Sequence, residues 1–219
     1  MEQKRVSVII TAVIKNTENY INGFSIKGDS MGLTQVSTRL VSYFEIFMKL
    51  LRDTFGSLLL KKWISTEKEN IERVDETMLP EILRIQAEGL DDKNQENLIK
   101  YSKKLKNIFY VIKNQDKIAG YCVYYLKPEL SFKGLVKKSV IYSIAIDKKF
   151  QKMGCGRKLL EESIEEMRLN GISSVLLYVN VNNTPAIKLY EKIGFQIIIK
   201  IASVCGQEET CYTMELKLA

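Results

Sequence analysis

The 219-residue chain contains no histidine. That absence removes Ser-His-Asp and Cys-His pairs and histidine-bound zinc before any geometry is considered. Its chemistry must rest on other groups, and no metal is expected. Proline is scarce, at 3 residues, and the most apolar stretches, VSVIITAVI and FGSLLL, are short. Both fall well below the ~20 residues that a membrane-spanning helix needs. No basic-then-apolar leader opens the chain. These points predict a soluble, cytoplasmic protein with no membrane partner. The 4 cysteines, Cys122, Cys155, Cys205 and Cys211, are scattered. Reduced thiols are expected in a chain this large, although CGQEETC is short enough to close as a disulfide loop.

What is present is a globular composition, with 46% apolar residues and a formal charge of +7. Acids and bases are interspersed, so the charge allows nucleic acid as a partner without pointing to it. Residues 1–65 read as a ββα extension of unassigned role, with strands RVSVIITAVI and YINGFSIK ahead of a helix. Leu40, Val41, Phe44, Phe47, Met48, Leu51 and Phe55 form an apolar stripe on that helix. The stripe suits packing within the chain or a homodimer surface. Polar residues 66–70 read as a linker, and a domain of different order fills 71–219.

That domain starts with strand IERV and a helix capped by Asp75 or Thr77 and closed by Gly89. A second helix follows over Asn94–Leu105, then strands at 108–113, 117–126 and 138–147, the first two joined by a tight turn at NQD. The stretch QKMGCGRKLL leads into a helix stopped by Gly171. Strand SVLLYVNV, helix PAIKLYEKI and two closing strands complete an α/β (α+β) order.

A glycine loop at the start of a helix leaves amide N–H groups unpaired and aimed at one spot, which suits an anion. Gly154 and Gly156 lack Cβ atoms, and Lys152, Arg157 and Lys158 add charge. A dinucleotide fingerprint needs a third glycine where Leu159 stands, and a P-loop needs different spacing. About thirty residues on, NTPAIKLYEKIGF supplies Asn183, Ala186, Tyr190, Gly194 and Phe195, with Thr184 and Pro185 fitting an N-cap and first helical position. By themselves these residues also suit a tight turn and a core tyrosine.

Together, QKMGCG and NTPAIKLYEKIGF closely resemble the GNAT superfamily of acyl-CoA-dependent N-acyltransferases. The branch that acetylates protein N-termini, including ribosomal-protein alanine acetyltransferases, is the most similar. The resemblance covers residues 71–219 and implies a mixed central sheet, flanked by helices and splayed at an acyl-CoA cleft. It implies acetyl-CoA as cosubstrate, with Gln151, Lys152, Met153, Gly154, Cys155, Gly156 and Arg157 at the pyrophosphate. The backbone of Ile144, Ala145 and Ile146 would line the pantetheine arm and polarise the acetyl carbonyl, Asn183 would stand beside that arm, and Tyr190 would be the general acid. The implied acceptor is a peptide or protein α-amine, with a small amine or polyamine as the alternative; a non-catalytic acyl-CoA sensor belongs to a different class.

The chain departs from these relatives where they carry a base. The position five residues before Asn183 holds Tyr178, and the preceding strand offers Val140 and Tyr142 without a carboxylate. Tyr142 and Tyr178 would then position a water, or simply be aromatic walls. Glu88, Asp91, Asp92, Glu208 and Glu209 gather where such acceptors enter.

Overall fold

The alternation of β-branched and aromatic residues from Phe109 to Ile146 builds the centre of a seven-stranded sheet. The computed structural model describes residues 58–89, 95–131, 134–202 and 209–218. The ββα reading of residues 1–65 therefore lies almost wholly outside the described residues, as do Asp91, Asp92 and Glu208. The described residues fall in the unit Lys49–Ala219.

The strands are β1 Ile71–Arg73, β2 Phe109–Asn114, β3 Lys117–Ser131, β4 Gly134–Ile146, β5 Ser174–Asn180, β6 Gln196–Ala202 and β7 Thr210–Lys217. The helices are α1 Leu79–Gly89, α2 Gln95–Lys104, α3 Cys155–Leu169 and α4 Thr184–Ile193. The strands are ordered β1-β2-β3-β4-β5-β7-β6, and all pairings are antiparallel except β4 with β5. Gln115 and Asp116 both take positive φ, at 49° and 61°, which gives the β2–β3 hairpin the twist its strands require. Asp75 caps the turn before α1, its Oδ1 accepting from Thr77 N at 2.9 Å.

Side chains alternate across β3 and bind helices on opposite faces. The Tyr124 hydroxyl meets Ser163 of α3 at 2.7 Å, whereas the Tyr121 hydroxyl donates to Gln86 of α1. One face of the sheet thus carries α3 and α4, and the other α1 and α2. Tyr110, Tyr121, Tyr124, Phe109, Ile82, Leu159 and Met167 fill the core between these layers.

The 66–70 stretch read as a linker lies against α3. Thr66 N and Oγ1 both donate to Glu166 Oε2 at 3.3 Å, and Lys68 pairs with Glu162. Glu166 is 1% exposed and also accepts from Trp63 Nε1 at 2.7 Å, Tyr110 OH at 2.8 Å and Arg73. A buried carboxylate is tolerated because these donors satisfy it. Cys122 and Cys155 are free thiols. Cys211 is disulfide-bonded, which corrects the expectation of a reduced thiol there. No helix among the described residues is long and apolar enough to cross a membrane.

Candidate active site

The site grows from a separation of two strands. β4 and β5 pair only at Lys138↔Ser174, Ser139↔Val175 and Val140↔Leu176. Beyond those pairs β4 runs on to Ile146 held by β3, and β5 runs on to Asn180 held by β7. In the β3–β4 ladder Val123 faces Ser143 and Tyr124 faces Ile141, so Tyr142 is an extra residue. Such a bulge bends its strand, and this one lies just past the last shared pair. The expected splay is present.

Backbone groups line the gap. Asp147 N donates to Ala119 O at 2.9 Å, which turns the main chain of residues 145 and 147 toward β3. Antiparallel alternation then sends the N–H and C=O groups of Ile144 and Ile146 into the gap. Gln151 Nε2 donates to the Ile146 carbonyl at 3.0 Å, tying the following loop to the same edge.

That loop is built to expose amides. Asp147 caps a short turn through Lys149 N at 2.8 Å and pairs with Arg84 of α1. The Lys149 amide, ahead of Arg84, holds the Asp147 carboxyl below its ordinary range. Lys152 and Gly154 adopt left-handed φ values of 62° and 83°. A Cβ on Gly154 would meet nothing within 4 Å, so the backbone angle, not space, calls for glycine there. Gly156 differs: its Cβ would stand 3.4 Å from Ile146 Cγ1 and 3.5 Å from Leu189 Cδ2, against the cleft wall. No side chain caps α3 at Gly154, so its first N–H groups, at the positive end of the helix dipole, face outward from the turn. Arg157 and Lys158 lie close by, paired to Glu161 at 2.8 Å and Glu69 at 3.5 Å. Met153 is 60% exposed, and Cys155 is buried.

Asn183 begins α4 and is itself the N-cap, its Oδ1 accepting from Ala186 N at 3.2 Å. Thr184 and Pro185 are its first two residues, so the helix starts one residue earlier than the sequence spacing suggested. Tyr190 is buried, its ring 5.8 Å from Phe195 in a T-shaped arrangement. Burial, ahead of the neighbouring Cys122 thiol, pushes its pKa well up, so it stays an O–H donor at neutral pH. Cys122 lies opposite Ile144 in the β3–β4 ladder, and burial raises its own pKa to about 12. Tyr190 therefore comes to the sheet at the level of Ile144, from the α3/α4 face.

The opposite face presents tyrosines. Tyr142 packs edge-on to Tyr101 of α2 with centroids 4.6 Å apart, and burial, ahead of Tyr101, raises its pKa. Tyr178 is 39% exposed and pairs with Thr213 of β7. The parallel register of Val140 with Leu176 sets Tyr142 and Tyr178 on one face, on either side of the gap. The carboxylate of Glu215, one pleat below Tyr178, lies 4.0 Å from Lys138. Of the expected entry acids, Glu88 pairs with Arg84 at 2.6 Å and Glu209 with Asn180 at 3.0 Å. Among the described residues no cluster of His, Cys, Asp or Glu could hold a metal.

Three features escaped the sequence reading. Gly120 admits no Cβ, because one would lie 2.6 Å from the Ala145 carbonyl oxygen and 2.4 Å from Ile146 Cδ1. It lets the β4 edge lie close, and an isolated glycine inside a strand was its only signal. The Tyr121 hydroxyl also lies 3.0 Å from Ser143 Oγ, completing with Gln86 a polar link from α1 to β4 beside the bulge. Tyr101 carries no spacing signal at all.

Comparison with known proteins agrees with this geometry. Over 125 residues the chain is 29% identical to an N-alpha-acetyltransferase of Sulfurisphaera tokodaii, covering 55% of this chain and 75% of that protein. It is 38% identical over 61 residues to a ribosomal protein bS18-alanine N-acetyltransferase of Escherichia coli, 28% of this chain and 41% of that protein. The structure of yncA, a putative acetyltransferase from Salmonella typhimurium with its cofactor acetyl-CoA, superposes with a TM-score of 0.54 at 20% identity, over 68% of this chain and 93% of that one. The model of the acetyltransferase (GNAT) family matches residues 71–195, which span both the splayed strands and Tyr190, and the chain belongs to that family of acyltransferases.

Proposed function

We propose that the protein transfers the acetyl group of acetyl-CoA to the α-amine of a peptide or protein by direct attack within a ternary complex. One observation carries this reading: β4 and β5 share three pairs and then part, leaving a gap between two backbone edges. Uncapped amides lie on one side and an open tyrosine-bearing face on the other. In the proposal the amides of residues 152–157 take the CoA pyrophosphate and the Ile144 and Ile146 main chain takes the pantetheine arm. The acetyl carbonyl oxygen accepts from a backbone N–H of that β4 edge, which is where negative charge develops. The amine nitrogen attacks the carbonyl carbon, the C–S bond breaks, and Tyr190 donates its proton to the departing thiolate. A solved structure of the same fold with acetyl-CoA, and curated relatives named as α-amine and alanine acetyltransferases, support the assignment.

The tyrosines point to the same acceptor. Tyr142, with its raised pKa, keeps its proton near neutral pH. In the proposal Tyr142 and Tyr178 hold a water that carries the amine's proton away, and neither acts as a strong base. An α-amine, with a pKa of ~7.7–8.0, is presented neutral at a cost of about 1 kcal/mol, whereas a lysine at ~10.4 costs roughly 4. The test is an acceptor panel with acetyl-CoA, with CoA release measured for free α-amine peptides, N-blocked lysine peptides and polyamines. The reading expects turnover on the first group, and faster turnover on either of the others overturns it.

A further inference from the structure

Resting on the reading above, we propose that Tyr101, Tyr142 and Tyr178 form a seat for a bulky apolar first side chain of the acceptor peptide, so that N-terminal methionine, leucine or phenylalanine is preferred to alanine or serine. For its amine to reach a thioester in the gap, a peptide must approach from the α1/α2 face, because α3 and α4 fill the other. Its first side chain then lies on that face, where the strands part. The floor there is Leu176, half-buried, beside Val140, which its own neighbours already cover. Two residues further along each strand, Tyr142 and Tyr178 rise as walls on either side. Tyr101 stiffens one wall through its edge-on contact at 4.6 Å. Tyr178, at 39% exposure, leaves the other wall with aromatic surface for a partner to cover. Glu215, the cross-strand partner of Leu176, borders this floor, and its carboxylate lies 4.0 Å from Lys138. A seat of this kind gains contact with each added carbon and offers nothing to a methyl or a hydroxymethyl.

The experiment uses the full chain and peptides identical except at the first residue: Met, Leu, Phe, Ala, Ser and Asp. Both kcat/KM and, with CoA present, peptide affinity by calorimetry are measured. The expected result is about a tenfold or greater preference for Met, Leu and Phe over Ala, the size that a few methylenes command in an apolar pocket. The ratio should collapse to within about threefold in Tyr178→Ala or Tyr101→Ala, and survive in Tyr178→Phe and Tyr142→Phe, which keep the rings. A merely structural role would lower all peptides together and leave the ratio unchanged. Equal binding of Met and Ala peptides, or a ratio unaltered in Tyr178→Ala, overturns the seat. If the Met peptide binds preferentially but no peptide is acetylated, the α-amine reading fails and the seat stands.

Discussion

The two faces of the sheet meet at one gap but are built from different materials. Toward α3 and α4 the elements that matter are main-chain groups: the Ile144 and Ile146 edge, the left-handed turn at Lys152 and Gly154, and the uncapped start of α3. Toward α1 and α2 they are side chains, chiefly the rings of Tyr101, Tyr142 and Tyr178. A backbone site depends on where the chain goes and tolerates many residues, whereas a side-chain site changes with each substitution. The sequence resemblance accordingly rests on the glycine loop and the start of α4, whereas Tyr142 and Tyr178 are where the sequence departs from it.

The comparison breaks first at Tyr190, the one side chain on the backbone-built side given a chemical role. Tyr190→Phe is expected to lower kcat by about 10²-fold, the bottom of the general-acid range, with little change in the acetyl-CoA KM. A kcat within about twofold of wild type, with chemistry shown to be rate-limiting, would return Tyr190 to the core. Next comes Gly154→Val, which asks a β-branched residue to hold a φ of 83°. It should weaken CoA by more than about tenfold in calorimetry, roughly 1.4 kcal/mol. Gly120→Ala sharpens the same side, since its Cβ meets backbone at 2.6 Å. A cost of about 1–3 kcal/mol is expected in denaturant unfolding, and an unchanged midpoint would show that β4 can retreat freely.

Smaller effects belong to the side-chain face. Tyr142→Phe and Tyr178→Phe should each reduce turnover only a few-fold, because a hydroxyl that holds a water is being removed and not a base. The rate on an α-amine peptide should then follow the amine's own titration, levelling near pH 8, while a lysine peptide still gains at about pH 9. A plateau well below pH 7 would reveal a base that these residues do not supply. The smallest expected effect joins the faces through Arg84, which pairs with Glu81 and Asp147. Both carboxyls lie below their ordinary values, Asp147 chiefly through the Lys149 amide and Glu81 through Arg84. Groups depressed in the folded state stabilise it above their unfolded pKa and lose that contribution as pH falls through the folded one. Stability should therefore decline below about pH 4, and Arg84→Ala should move the acid midpoint upward in a circular-dichroism titration.

Much of the fold was legible because periodicity and punctuation agree. Every expected element of the described domain is found within a few residues, from β1 at Ile71 to β7 ending at Lys217. β3 and β4 run longer than expected, to Ser131 and from Gly134, and β3 takes in Pro128. Beyond Val123, β3 pairs with β4 alone, so a residue without an N–H is tolerated there. The glycine loop was legible because backbone angles leave a residue-type signature. Tyr101, the Gln86–Tyr121–Ser143 link and the closeness at Gly120 were not, because each depends on which strands become neighbours.

The extra residue at Tyr142 also acts as a phase shift. A strand is a wave of period two, and a bulge absorbs one extra unit, so strict alternation counted back from Ile144 would put residues 134 to 141 on the wrong faces. With Tyr142 in place, Ile141 falls in step with Tyr124 beneath α3, and Val140 with Tyr125 on the other side. Deleting that single residue while the Ile144–Ile146 edge stays fixed would hardly shorten β4. It would heal the bulge, leaving Ile141 in step with Tyr124 and Lys138 on its present face, but it would straighten β4 just where it parts from β5 and take one ring from the acceptor face.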